Sequence, residues 1–110
     1  MRGVLSFFFL PAAAYAAVCT STSTCTEWVT LGSGPARSLV YTTYALNTNN
    51  ENIKRALVMV HGAGRDADNY FRTAIAAAFL AGALDDTIVV APRFASNEGR
   101  GCSDKLDITR

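Results

Sequence analysis

The chain has 110 residues; half are hydrophobic and 17% are charged, with ten Lys and Arg against nine Asp and Glu. A net charge of +1 without any basic block excludes the electrostatic footprint of a nucleic-acid binder, and no acidic surface stands out either. The length holds one small domain at most, or a piece of a larger one.

The N-terminus reads as an address. Met1-Arg2 is a short basic start, residues 4–17 are almost wholly apolar around Phe7, Phe8, Phe9 and Leu10, and Pro11 interrupts the run. Ala14-Tyr15-Ala16 offers a small-x-small cleavage site, so residues 1–16 are expected to be a secretory signal peptide. The run is too short for a membrane span, which needs about 20 apolar residues. A lipid anchor on Cys19 is disfavoured by the bulky Val18 before it. The mature chain is therefore expected outside the cell, or in the periplasm of a bacterium, with no membrane contact after cleavage.

Residues 17–26 form a Ser/Thr/Cys-rich arm. In an oxidising compartment Cys19 and Cys25 can pair locally, which leaves Cys102 without a partner in this chain. With one histidine and no C-x-x-C, the spacing fits no metal site.

Residues 28–31 and 38–46 read as two strands of a hairpin around the turn Gly32-Ser33-Gly34-Pro35, the second being rich in β-branched and aromatic residues. The Asn-rich residues 47–52 are a loop. Residues 56–60 then form a continuous apolar run, the pattern of a strand buried on both faces. From residue 68 to 83 the period becomes helical, with Phe71, Ile75 and Phe79 four apart, Asp66 or Asp68 as cap and Gly82 near the end. Residues 87–91 are another buried strand, stopped by Pro92. Strand, helix and strand over 55–91 make a βαβ unit with a parallel pair and a right-handed crossover. Its expected core is Leu57, Val58, Val60, Phe71, Ile75, Phe79, Ile88 and Val90. Residues 96–110 carry glycines and charges and read as loop. A parallel pair and a hairpin do not close a doubly wound sheet, so further strands and helices are expected beyond this chain, and the isolated chain is expected to be marginally stable.

The informative segment is Val60-His61-Gly62-Ala63-Gly64-Arg65-Asp66-Ala67-Asp68-Asn69-Tyr70-Phe71, at the end of a buried strand and leading into a helix. Open α/β sheets bind ligands at such ends, and glycines let the backbone turn sharply and approach a ligand closely. A strand that ends in His-Gly, followed by a small residue, a Gly and a helix, resembles the oxyanion-loop region of the α/β-hydrolases, among them secreted esterases, lipases and polyester depolymerases. The resemblance covers residues 28–94. It implies an incomplete α/β-hydrolase fold, with an N-terminal hairpin and one βαβ unit of a mostly parallel sheet. Residues 27–110 would then be the N-terminal part of the hydrolase domain, truncated before the nucleophile elbow.

The resemblance also implies roles. Serine attack on an ester makes a negative tetrahedral oxygen, stabilised by one backbone N–H from this loop and one from the residue after the nucleophile. The loop donor would be Ala63, with Gly64 as second candidate. His61 and Gly62 would support the loop. His61 is not the general base, because the family's triad histidine follows the nucleophile and the acid in chain order. No G-x-S-x-G occurs in the 110 residues, and Gly32-Ser33-Gly34 is a turn before a strand rather than an elbow. Nucleophile, acid and base are all missing, so the chain by itself is expected to be inactive, a fragment of a secreted serine hydrolase that needs no cofactor. Its full-length form would act on a small-molecule or polymeric ester. Asp66, Asp68, Asp85 and Asp86 are explained as helix caps and loop charges, and Cys102 has no second histidine to activate it.

Two other readings compete. The chain can be a non-catalytic secreted truncated product. Alternatively, Gly62-Ala63-Gly64-Arg65-Asp66-Ala67 fits G-x-G-x-x-A, a dinucleotide fingerprint, although the next strand ends in Ala91-Pro92-Arg93 rather than near an acidic residue. Arg93 can meet a 2′-phosphate, whereas a secretion signal argues against a cytosolic cofactor.

Overall fold

A computed structural model of the chain describes residues 16–94. The signal segment up to residue 15, the loop 96–110 and Cys102 lie outside the described residues. Four strands and one long helix follow in chain order: β1 (Thr26–Thr30), β2 (Arg37–Thr42), β3 (Arg55–Val58), α1 (Ala67–Leu80) and β4 (Thr87–Arg93), with a single 3-10 turn at Leu84–Asp86. They form an α/β unit with a mixed four-stranded sheet in the order β1-β2-β4-β3.

The hairpin expected from the turn cluster is present, with Trp28 opposite Leu39 and Thr30 opposite Arg37. Gly32 takes the positive φ of 67° that its turn requires. Residues 43–46, read as strand from their composition, lie past the end of β2. The hairpin docks through β2, antiparallel to β4, while β3 runs parallel to β4. Among the described residues only one of three pairings is thus parallel, and the sheet is mixed rather than mostly parallel.

Pro92 does not stop β4, which continues to Arg93 with Pro92 opposite Val40. Strand alternation gives the reason. The Val90 carbonyl accepts the Met59 N–H, so the backbone polar groups of Val90, and two residues on of Pro92, point toward β3. The β3 ladder ends at the Val58–Val90 pair, so no β3 carbonyl waits for the N–H that proline lacks.

The helix covers one face of the sheet. Ala67, Phe71, Ala74 and Ala78 are buried there, together with Val89, Ala91 and Cys25. Three alanines let the helix come close, and the Phe71 ring meets that of Tyr41 at 5.8 Å between centroids. Phe79, expected in this core, is 68% exposed. At 100° per residue a step of four drifts by about 40°, so Phe79 stands about 80° around the helix from Phe71, whereas a step of seven returns Ala78 to within about 20°. A Schellman motif ends α1: Gly82, at φ 68°, donates to the Phe79 carbonyl and Ala83 to that of Ala78.

The remaining core residues divide by strand parity. Val89 and Ala91 face α1 and are fully buried, so Ile88 and Val90 lie on the other face and are only half-buried. Leu57 and Met59 pack toward the α1 core, whereas Val58 and Val60 are 59% and 53% exposed on the far side. The apolar run of residues 56–60 therefore belongs to an edge strand covered on one face, not to a strand buried on both. On that far face Ser38, Val40 and Thr42 of β2 are buried.

The Ser/Thr/Cys arm folds back onto this frame. Cys19 and Cys25 are joined by a disulfide across a sequence separation of 6, and Cys25 enters the core. The Cys19 N–H reaches the Thr43 carbonyl at 2.8 Å, and the Cys25 carbonyl accepts the Thr42 N–H at 2.9 Å. Arg72 of α1 donates to the Thr22 hydroxyl at 3.1 Å, so the disulfide loop is also tied to the helix.

Candidate functional site

The loop of residues 59–66 lies between the C-terminal end of β3 and the start of α1. It holds His61, Gly62, Ala63 and Gly64, and the last three are exposed. The sequence suggested that the glycines make the sharp turn, but neither has a positive φ. The turn falls instead on Arg65, at φ 51°, whose N–H returns to the Gly62 carbonyl at 3.1 Å. An arginine in the left-handed region carries a cost that glycine would avoid. A Cβ on Gly62 would meet only the Tyr70 hydroxyl at 3.8 Å, and one on Gly64 only Asp66 Oδ1 at 3.6 Å. Both are ordinary contacts, so these glycines keep the loop's surface low rather than supply its conformation.

Asp66 caps α1 through its backbone: its carbonyl accepts the N–H groups of Asn69 at 3.0 Å and Tyr70 at 3.2 Å, and its side chain makes no cap bond. Asp68 lies in the first turn, where a negative charge suits the helix dipole. Asp85 and Asp86 lie at the opposite end of the sheet, in the 3-10 turn, with Asp86 3.5 Å from Arg55 in a solvent-exposed ion pair. None of these carboxylates joins the loop into a cluster: among the described residues no three His, Cys, Asp or Glu side chains come together as a metal would need.

His61 makes two contacts that the sequence did not show. Its Nε2 accepts the backbone N–H of Phe94 at 2.8 Å, just beyond the end of β4. Because that nitrogen must be an acceptor, the proton of the neutral ring is on Nδ1, which then donates to the Gly62 carbonyl at 2.8 Å. The Phe94 ring stands beside the histidine, tilted by 60° at 6.0 Å between centroids. His61 thus ties the loop to β4 as well as to itself. Phe94, beyond the strand that the sequence places at residues 87–91, gave no sign of this role, because the hydrogen bond uses its backbone N–H across a separation of 33 residues.

Ala63 and Gly64 are side by side at the crest of this loop. Among the described residues their N–H groups make no hydrogen bond. Unpaired donors at the C-terminal end of a strand and just ahead of a helix can receive a developing negative charge. Arg65 beside them is half-buried, and its Nη1 is buried with no hydrogen-bond partner among the described residues. A cleft of about 210 Å³ does exist, but it lies on the disulfide arm, lined by Cys19, Thr24, Glu27, Thr42 and Tyr44 among others, and includes no residue of the loop. Arg93, which the dinucleotide reading would place on a phosphate, is part of β4, and its carbonyl takes the Ser38 hydroxyl at 3.0 Å. No described helix is long and apolar enough to cross a membrane. Comparison with models of protein families, with curated proteins and with solved structures finds no match to this chain.

Proposed function

We propose that this chain is the N-terminal part of a secreted serine hydrolase of the α/β-hydrolase fold, acting on carboxylic esters, and that residues 61–64 form half of its oxyanion hole. The observation that carries the reading is the position of the Ala63 and Gly64 N–H groups, unpaired among the described residues, on the loop between the third strand and the first helix. That is where the α/β-hydrolase architecture draws its second oxyanion donor. The other donor follows the nucleophile, which these 110 residues do not contain. The loop stabilises charge only after a nucleophile has attacked, so the chain alone forms no acyl-enzyme.

The test is to extend the reading frame through its downstream coding sequence and assay hydrolysis of a short-chain ester. The extended protein should turn over, and the 110-residue chain should not. In the extended protein Ala63→Pro, which removes the N–H, should lower kcat by about a hundredfold or more; Gly64→Pro belongs beside it to decide which donor is used. Serine-dependent turnover by the 110-residue chain, or an extended frame without a serine elbow, would overturn the reading. In the second case a dinucleotide-binding assay becomes the next measurement.

A further inference from the structure

We propose that His61 is a proton-controlled latch on the loop 61–64: the ring closes the loop against β4 when neutral and releases it on taking a second proton. The proposal rests on the reading of Ala63 and Gly64 as oxyanion donors only for what the latch would regulate, not for its existence.

The argument is one of hydrogen-bond polarity. The backbone N–H of Phe94 can only donate, so Nε2 must present a lone pair, and the Gly62 carbonyl can only accept, so Nδ1 must present a proton. Only one of the two neutral tautomers satisfies both, and the doubly protonated ring does not. A proton on Nε2 would face the Phe94 N–H across a 2.8 Å gap, donor against donor. The closed latch and the charged ring therefore exclude each other. Gly62 and Phe94 are both exposed, so the loop can lift without unpacking the α1 core.

The ring's own contacts are to backbone groups and to the Phe94 ring. The titratable and charged side chains on the loop and the elements beside it are Arg65 and Asp66 in the loop, Asp68, Tyr70 and Arg72 in α1, Arg55 in β3 and Arg93 in β4. Asp66 Oδ2 takes a hydrogen bond from the Asn69 amide at 3.4 Å, and among the described residues no carboxylate is bonded to the ring to hold a second proton in place. Once Ala63 and Gly64 lose their anchor to β4, their N–H groups no longer share one orientation. An oxyanion hole depends on donors fixed in advance of the charge.

The experiment is NMR of the ¹⁵N-labelled chain at two pH values, a higher one at which the ring's own ¹⁵N shifts show it neutral and a lower one at which they show it doubly protonated. At the higher pH the ring should show the Nδ1–H pattern and a nitrogen–nitrogen coupling across the Phe94–His61 hydrogen bond. At the lower pH the coupling should vanish and the Ala63 and Gly64 amide resonances should move. His61→Gln, whose side-chain oxygen can accept the Phe94 N–H but does not titrate, should keep these amides unchanged between the two conditions. Relative to that variant at the lower pH, the Phe94 amide of the unaltered chain should exchange about tenfold faster, the factor expected for loss of one hydrogen bond of ordinary net strength. A ring protonated on Nε2 at the higher pH would overturn the latch. So would loop amides that ignore pH, or a His61→Gln chain that responds as the unaltered chain does. These outcomes concern the loop alone, whereas absent turnover in the extended protein would count against the hydrolase reading and leave the latch standing.

Discussion

Thr43 and Val89 exchange two hydrogen bonds: the Thr43 N–H donates to the Val89 carbonyl at 3.1 Å, and the Val89 N–H donates to the Thr43 hydroxyl at 2.9 Å. Both residues are fully buried. The strand pairing of β2 with β4 ends at Thr42, and here a side chain takes over the acceptor role that backbone pairing would otherwise supply. Thr43 also offers its carbonyl to Cys19, so one residue joins the arm, β2 and β4.

Thr43→Val keeps the shape of the side chain and removes its acceptor. It leaves the Val89 N–H buried and unpaired, which should lower stability by about 1–3 kcal/mol. The urea midpoint of the variant against the parent chain measures it; an unchanged midpoint would show that Val89 finds another acceptor.

Phe71 and Phe79 lie on the same helix, yet their truncations should separate widely. Phe71→Ala empties a fully buried site and should cost about 3–5 kcal/mol, whereas Phe79→Ala removes a ring that is 68% exposed and should stay within about 0.5 kcal/mol. Thermal melts of both variants provide the comparison. A large loss at Phe79 would mean that this end of α1 is covered in solution.

The disulfide constrains a short loop, so its effect on the unfolded chain is modest: about 2 kcal/mol for a sequence separation of 6. Replacing both cysteines, Cys19→Ala with Cys25→Ala, should lower stability by at least this amount, because Cys25 also fills the core beside Phe71. Denaturation of the parent chain with and without reductant separates the covalent part from the packing part.

Alkaline titration should weaken the fold through Tyr44 and Tyr41. Burial raises the phenol of Tyr44 above its ordinary 10.0, with the charges of Asp85 and Asp86 adding to it. Burial and then Asp68 do the same for Tyr41. Above the ordinary value the unfolded chain loses these protons while the folded chain keeps them, so the folded state binds more protons and stability falls as pH rises. This contribution is complete below pH 10.0 and disappears as pH climbs through the raised values. Tyr41→Phe with Tyr44→Phe should flatten that slope in melts taken across the alkaline range. At neutral pH Tyr44→Phe alone should cost about 1 kcal/mol, because its hydroxyl donates to the Asp85 carbonyl at 2.9 Å.

Local chemistry by itself determined the elements. The Gly-rich turn set the hairpin, the change from continuous to helical apolar spacing marked β3 and α1, and Gly82 ended the helix because only its missing Cβ makes a φ of 68° cheap. Sequence also located the His-Gly-Ala-Gly loop between strand and helix. It did not decide which side of a strand is covered, because an apolar residue looks the same against a helix, at a free edge or in solvent. Val58 and Val60 became exposed only when β3 took the outer place in the order β1-β2-β4-β3, and Val89 rather than Val90 met Phe71 only when α1 settled on one face. The pairing of β2 with β4, the Thr43–Val89 exchange and the His61–Phe94 bond join residues 33 to 54 apart in the chain, each with a backbone group on at least one side. Every residue type but proline carries the same backbone donor and acceptor, so no pattern of side chains announces such bonds; they exist only where the packed sheet brings the two segments within reach.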